Sequence, residues 1–206
     1  MSRLFLTGAT GFLGSHVAAT WLRASDTNTV AALVRADTAD EADNRLKRSL
    51  TIAFHDQGEA SPTAEQLSRV LTVRGDILHP SWAESAALRA WWGAEPEEIE
   101  ILHSAAALSL APENHAFVYE ANVTGTRRLL SAIATLPSPA AFNHVSTAYV
   151  AGSRDGVIRE EIVDPPEFNN PYESSKHACE TMVRDVLGDH GTPWRIFRPS
   201  IIIGHS

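Results

Sequence analysis

The chain has 206 residues, 44% of them apolar and 20% charged, the balance of one ordinary globular domain and not of a disordered chain. Its net charge of -8 argues against a general affinity for nucleic acid or anionic membrane, since both reward clustered Lys and Arg. The single cysteine, Cys179, excludes an internal disulfide framework, fits a reducing compartment and is expected to be a buried, inert thiol.

Arg3 to Thr7 reads as a first strand, a Gly-rich turn follows, and Phe12 to Ala24 has the apolar spacing of a helix. The run Leu4-Phe5-Leu6 is cut short by Thr7-Gly8, too soon for a signal-peptide core or a membrane span, so a cytoplasmic protein is expected. Thr29 to Val34 is the second strand, and Asp37 to Gln57 a polar helical stretch. Pro62 breaks the chain before a short helix at Thr63 to Arg69, and Val70 to Val73 is the third strand. A helix containing Trp91 and Trp92 leads to the fourth strand, Ile99 to His103. Pro112 precedes one long helix from about Glu113 to Thr135, and the fifth strand follows at Ala141 to Ser146. Gly152 to Asn169 lacks periodicity and reads as the weakest linker; Tyr172 to Leu187 is a helix and Trp194 to Phe197 a sixth strand. Strands alternating with helices of this length predict an α/β fold of Rossmann type, a doubly wound parallel sheet with helices on both faces.

Thr7-Gly8-Ala9-Thr10-Gly11-Phe12-Leu13-Gly14 spaces its glycines by three between the first strand and the first helix. Glycine there permits a tight turn, lets the backbone approach a pyrophosphate and brings helix close to sheet, while the helix N-terminus offers free N–H groups. This predicts dinucleotide binding. The second strand ends Leu33-Val34-Arg35, and a guanidinium there, helped by Arg45 on the next helix, favours a 2'-phosphate and hence NADPH over NADH. Asp37 stands two residues on and could instead serve a 2'-hydroxyl. Asp76-Ile77 falls where adenine would lie, although Asp also favours turns for its own reasons, and Ala105, Ala106 and Ala107 are small enough to let a cofactor pass.

Tyr172 and Lys176 lie at i and i+4 on one helix face, so their heads can converge. A nearby ammonium favours the phenolate, bringing Tyr172 toward a working pH for proton exchange with a carbonyl oxygen. Ser146 and Thr147 end the fifth strand, where open parallel sheets place their ligands, and Thr147 is the first choice as hydroxyl donor. The nine histidines show no metal-ligand spacing, so no metal is expected, and the five tryptophans are assigned to core or pocket walls.

Seven segments in order, TGATGFLG at 7–14, GDI at 75–77, HSAA at 103–106, NVTGT at 122–126, VSTAYVAG at 145–152, YESSK at 172–176 and RPSIIIG at 198–204, make the chain resemble the extended short-chain dehydrogenase/reductase superfamily. LVRA at 33–36, Arg45-Leu46, EANVTGT at 120–126 and HVSTAYVAG at 144–152 make it most similar to the thioester-reductase or male-sterility branch, which holds fatty acyl-CoA reductases and terminal reductase domains of carboxylic acid reductases and peptide synthetases. The resemblance implies NADPH-dependent reduction of an acyl thioester, CoA- or carrier-bound, to aldehyde or alcohol. It implies Thr147, Tyr172 and Lys176 as catalytic residues, with Lys176 also at the nicotinamide ribose, Tyr172 also a cofactor contact, and Arg35 and Arg45 on the 2'-phosphate. The implied cofactor contacts further include Thr7, Gly8, Thr10, Gly11, Phe12, Leu13, Gly14, Asp76, Ile77, Ala105 to Ala107, Ser146 and Pro199. The family pattern continues beyond its RPxxIxG segment into a smaller substrate domain, so residues 1–206 are expected to be an NADP-binding domain cut before that part. An epimerase, dehydratase or ketone reductase on a nucleotide sugar or other small molecule, and a non-catalytic NADP-binding regulator, remain as alternatives.

Overall fold

Every residue of β1, Arg3–Thr7, is buried, which a strand achieves only when both faces of its sheet are covered. The computed structural model describes residues 2–93 and 98–204. In it β1 pairs in parallel with β2, Thr29–Val34, on one side and β4, Ile99–His103, on the other. With β3 at Val70–Arg74, β5 at Ala141–Val145 and β6 at Trp194–Phe197, the sheet runs β3-β2-β1-β4-β5-β6, parallel throughout. Strand order reverses between β1 and β4, and such a reversal opens a crevice at the carboxyl ends of those two strands.

The two faces sort by alternation along each strand. Leu4, Leu6 and Leu102 pack with residues of α1, Phe12–Ala24, and α2, Ala39–Asp56. Phe5, Ile101 and Phe142 point the other way, into the core shared with α4, Ala86–Gly93, α6, Gly125–Ile133, and α7, Pro171–His190. There Phe5 stacks on Trp82 at 5.5 Å and meets Trp92 edge-on at 5.2 Å, while Trp92 Nε1 donates to the Pro137 carbonyl. Trp82 and Trp92 are therefore core residues. A short α3, Ala64–Ser68, begins with a capping box between Thr63 and Gln66.

Three expectations shift. The single helix predicted over 113–135 is a 3₁₀ turn at Pro112–Asn114, α5 at His115–Tyr119, a π turn at Glu120–Thr124 and then α6. The extra residue in the π turn accommodates Asn122, whose side chain is taken by the backbone of Ala107. α7 starts at Pro171, capped by Asn170 accepting from Glu173 N at 3.0 Å, and ends on Gly191 at φ +70. The 152–169 segment, read as the weakest linker, closes on itself where Ser153 N donates to Glu167 O, and is anchored where Arg198, just after β6, donates to the Glu161 carbonyl. Among the described residues no helix is long and apolar enough to cross a membrane.

Candidate active site

At the switch point the loops after β1 and β4 bound a cleft of about 400 Å³. Thr7, Gly8, Thr10 and Gly11 line one wall, Ala105, Ala106 and Ala107 another, and Arg35, Arg45, Asp76 and Ile77 the far end. Gly8 has φ +76, and a Cβ there would stand 2.6 Å from Ser104 Oγ and 2.7 Å from Ala105 N. Only glycine fits. Gly14 fits for a different reason: a Cβ on it would lie 2.2 Å from the Gly8 carbonyl oxygen, so α1 rests directly on the turn.

The N-terminus of α1 has Gly11 at its cap with no side-chain hydrogen bond and no acidic residue in its first turn. By contrast, α2, α3 and α7 are capped by Thr38, Thr63 and Asn170. An uncapped helix end facing a cleft leaves its N–H groups and partial positive charge for an anion, which fits a dinucleotide's pyrophosphate. At the far end Arg35 is largely exposed, with its guanidinium 3.9 Å from Asp76, and Arg45 donates to the Arg35 carbonyl. Asp37 is exposed, is not in the wall, and has its carbonyl held by Arg74.

The side chains of Phe12, Leu13 and Pro199 point away from this cleft. Phe12 is exposed at the start of α1, beside Gly204. Leu13 and Pro199 line a separate apolar trough of about 690 Å³ over β4, β5 and β6, on the face that α1 covers in part. Apolar packing of α1 and the chain after β6 against that sheet face draws them there. Leu33, Gly75, Leu78, Ser104, Phe117, Glu120 and Ala121 also line the cleft; all but Leu78 and Phe117 lie in the quoted segments, where they were given no contact of their own.

Thr147, two residues after β5, caps the following 3₁₀ turn by accepting from Tyr149 N and keeps its hydroxyl hydrogen for another partner. Ser146 is buried with its Oγ unpaired. On α7, Lys176 is buried and its Nζ lies 3.1 Å from Nε2 of His144 on β5. This corrects the expected electrostatics, since the ammonium is hydrogen-bonded on the sheet and the phenol is not brought toward working pH. Burial raises the Tyr172 pKa, and burial lowers that of Lys176, with Cys179 and Glu180 partly offsetting it.

Sequence reasoning gave no role to Asn122, although it sits in the quoted NVTGT segment. Its Oδ1 accepts from Ala107 N at 2.7 Å, and its Nδ2 donates to Ala107 O at 3.1 Å and to Ser175 Oγ at 2.9 Å. Ser175 Oγ in turn donates to the Tyr172 carbonyl. One buried amide thus joins the cleft wall to the first turn of α7. Cys179 donates to the Asn122 carbonyl, and burial raises its pKa, as an inert thiol requires.

A sequence model of the male sterility protein family matches residues 6–206. The chain belongs to that family. Among its relatives, a nonribosomal peptide synthetase of Aspergillus flavus is 30% identical over 99% of this chain and 20% of that protein. A candidate fatty acyl-CoA reductase of Drosophila melanogaster is 26% identical over 98% of this chain and 41% of that protein. Among solved structures, the terminal R domain from the myxalamid PKS-NRPS biosynthetic pathway superposes with a TM-score of 0.79 at 31% identity, over all of this chain and 51% of that one. The chain therefore spans about half of that solved domain and less of the curated relatives. The expected Rossmann-type sheet and the place in the extended short-chain dehydrogenase/reductase superfamily, in its thioester-reductase and male-sterility branch, both hold.

Proposed function

We propose that residues 1–206 form the NADPH-binding, catalytic part of a reductase that takes an acyl thioester, bound to CoA or a carrier protein, to an aldehyde or alcohol. The observation that carries this reading is the tie between the glycine-walled cleft and α7, made through Ala107, Asn122 and Ser175, with Lys176 meeting His144 on the strand that precedes Thr147. Arg35 and Arg45 hold the 2'-phosphate, as the absence of Asp37 from the cleft wall supports. The uncapped start of α1 with Gly8, Thr10 and Gly11 holds the pyrophosphate, over Gly14. Bound there, NADPH supplies the hydride.

Thr147 donates a hydrogen bond to the thioester carbonyl oxygen and fixes its direction. Tyr172 delivers its phenolic proton to that oxygen as negative charge develops, and burial, by keeping the phenol protonated, has the donor ready. Lys176 places its positive charge near the developing phenolate, where it counts for more because the ammonium is buried. Collapse of the reduced centre expels the thiol and leaves the aldehyde.

The test is a fluorescence titration of the protein with NADPH and with NADH, followed by turnover on an acyl-CoA with an aldehyde trap. Tight NADPH binding and thioester-dependent oxidation that Tyr172→Phe abolishes are expected. Preference for NADH would overturn the role of Arg35. Turnover that survives Tyr172→Phe would overturn that of the phenol.

A further inference from the structure

A row of polar side chains crosses the sheet beneath the site. Register pairs Thr7 with His103 and His103 with His144, and these residues share the face that carries Phe5 and Phe142. His103 is held at both ring nitrogens, Nδ1 at 2.7 Å from Thr7 Oγ1 and Nε2 at 2.9 Å from Thr126 Oγ1. His144, fully buried, faces it at 5.3 Å between ring centroids. Its Nε2 meets Lys176 Nζ at 3.1 Å, and its Nδ1 has no partner among the described residues.

A buried ammonium is ordinarily matched by a carboxylate, which cancels its charge. The nearest carboxylate along α7, that of Glu180, is already committed to Arg198, through contacts of 2.9 and 2.6 Å. Lys176 is left with a neutral imidazole. An imidazole takes one N–H of the ammonium, fixes its direction and leaves its unit charge intact. The other two N–H groups stay free for reacting partners.

We infer that His144 is a positioning residue for Lys176, a neutral acceptor through Nε2 that aims the ammonium without neutralising it. This rests on the reading of Tyr172 and Lys176 as the catalytic pair. Accepting at Nε2 puts the ring proton on Nδ1. The titratable groups that act on its ring are Lys176 of α7 and His103 of β4, while Cys179 and Glu180 of α7 act on Lys176; burial first, then Lys176 and His103, hold His144 uncharged. A charged ring would set two cations 3.1 Å apart.

The experiment reads the lysine itself, in the full chain without cofactor. Carbon-13 lysine NMR, with Lys176→Met to identify the signal, gives its titration in the wild type, His144→Phe and His144→Gln. His144→Phe should lower the Lys176 pKa by about one unit, tenfold in proton affinity, because a hydrogen bond to the charged form is lost. His144→Gln, whose amide oxygen can accept, should restore it. A Phe variant titrating like the wild type overturns the inference. Nitrogen-15 histidine spectra of the wild type provide a check that needs no variant to fold: His144 should remain the neutral Nδ1–H tautomer from about pH 5 to pH 9, and a protonated ring or an Nε2–H tautomer at neutral pH overturns the inference. If Tyr172→Phe keeps its turnover, the catalytic reading fails while these spectra still decide the lysine's acceptor.

Discussion

Gly14→Ala is the perturbation whose size the structure sets most directly. An alanine Cβ would stand 2.2 Å from Gly8 O and 2.8 Å from Gly8 C, whereas ordinary contact begins at 3.4 Å. The difference, 3.4 less 2.2 Å, requires α1 and the glycine turn to part by about 1.2 Å. Both obstructing atoms are backbone, so no side chain can swing aside. Overpacking of this kind costs about 1–3 kcal/mol, and in a chain of this size each kcal/mol lowers Tm by roughly 2–4 °C. The same displacement carries the free N–H groups of α1 out of hydrogen-bond range of a pyrophosphate. Losing even one charged hydrogen bond, about 1.5–3 kcal/mol, weakens NADPH binding by roughly 10- to 150-fold. Gly188→Ala is the internal control: it is exposed on α7 with nothing within 4 Å of its Cβ, so it should stabilise by about 0.5–1 kcal/mol and leave affinity alone. Thermal unfolding and an NADPH fluorescence titration on both variants decide the matter. A Gly14→Ala protein that melts and binds like the wild type would refute the argument that α1 must rest on Gly8.

Arg35→Ala should cut the preference for NADPH over NADH by about tenfold, about 1.4 kcal/mol, and the wild-type preference should shrink with added salt because Arg35 is exposed; parallel titrations at two ionic strengths read both. Arg198→Met strands the Glu180 carboxylate, which has no exposure, and should cost about 3–5 kcal/mol in urea unfolding, most of it recovered when Glu180 is also made Leu. Acid should destabilise the fold through His103, whose pKa is lowered to about 3 from 6.5, by burial first and then by Lys176. Unfolded, that ring takes up a proton below about pH 6.5, so its contribution is complete above that pH and declines as pH falls toward 3, by about 1.4 kcal/mol per unit. His144, lowered for the same reason, adds in the same direction. Urea unfolding at a series of pH values should show that slope flattened in His103→Gln, and an unchanged slope would count against a neutral buried ring.

The six strands were legible because each is a largely apolar run bounded by turn residues or charge, and all six start where expected, at Arg3, Thr29, Val70, Ile99, Ala141 and Trp194. The glycine turn was legible for the same local reason. The π turn at Glu120–Thr124 was not, because its cause is an amide reaching across the fold to Ala107, 15 residues away in the chain, and helical periodicity runs through it undisturbed. The facing of the Leu13 and Pro199 side chains was not legible for a related reason. A motif gives their order along the chain, but which side of α1 or of the sheet they face follows from packing that only the assembled layers define. Tyr172 and Lys176 share a helix face as their spacing requires, yet a side chain as long as lysine's finds its partner by tertiary position, here His144 on β5, 32 residues away.

That last difference changes how the pair can work. Burial raises the tyrosine's pKa and lowers the lysine's, so each group alone is driven toward its neutral form. A direct ion pair would relieve both at once and freeze the phenol as phenolate, useless as a proton donor. Turning the ammonium onto a neutral ring separates the two demands. The lysine keeps its charge through a hydrogen bond that carries none of its own, and the phenol keeps its proton until an oxygen in the site develops enough negative charge to take it. On the proposed reading the phenolate forms only then, and the buried Lys176 charge that would stabilise it is held by His144 and needs no rearrangement.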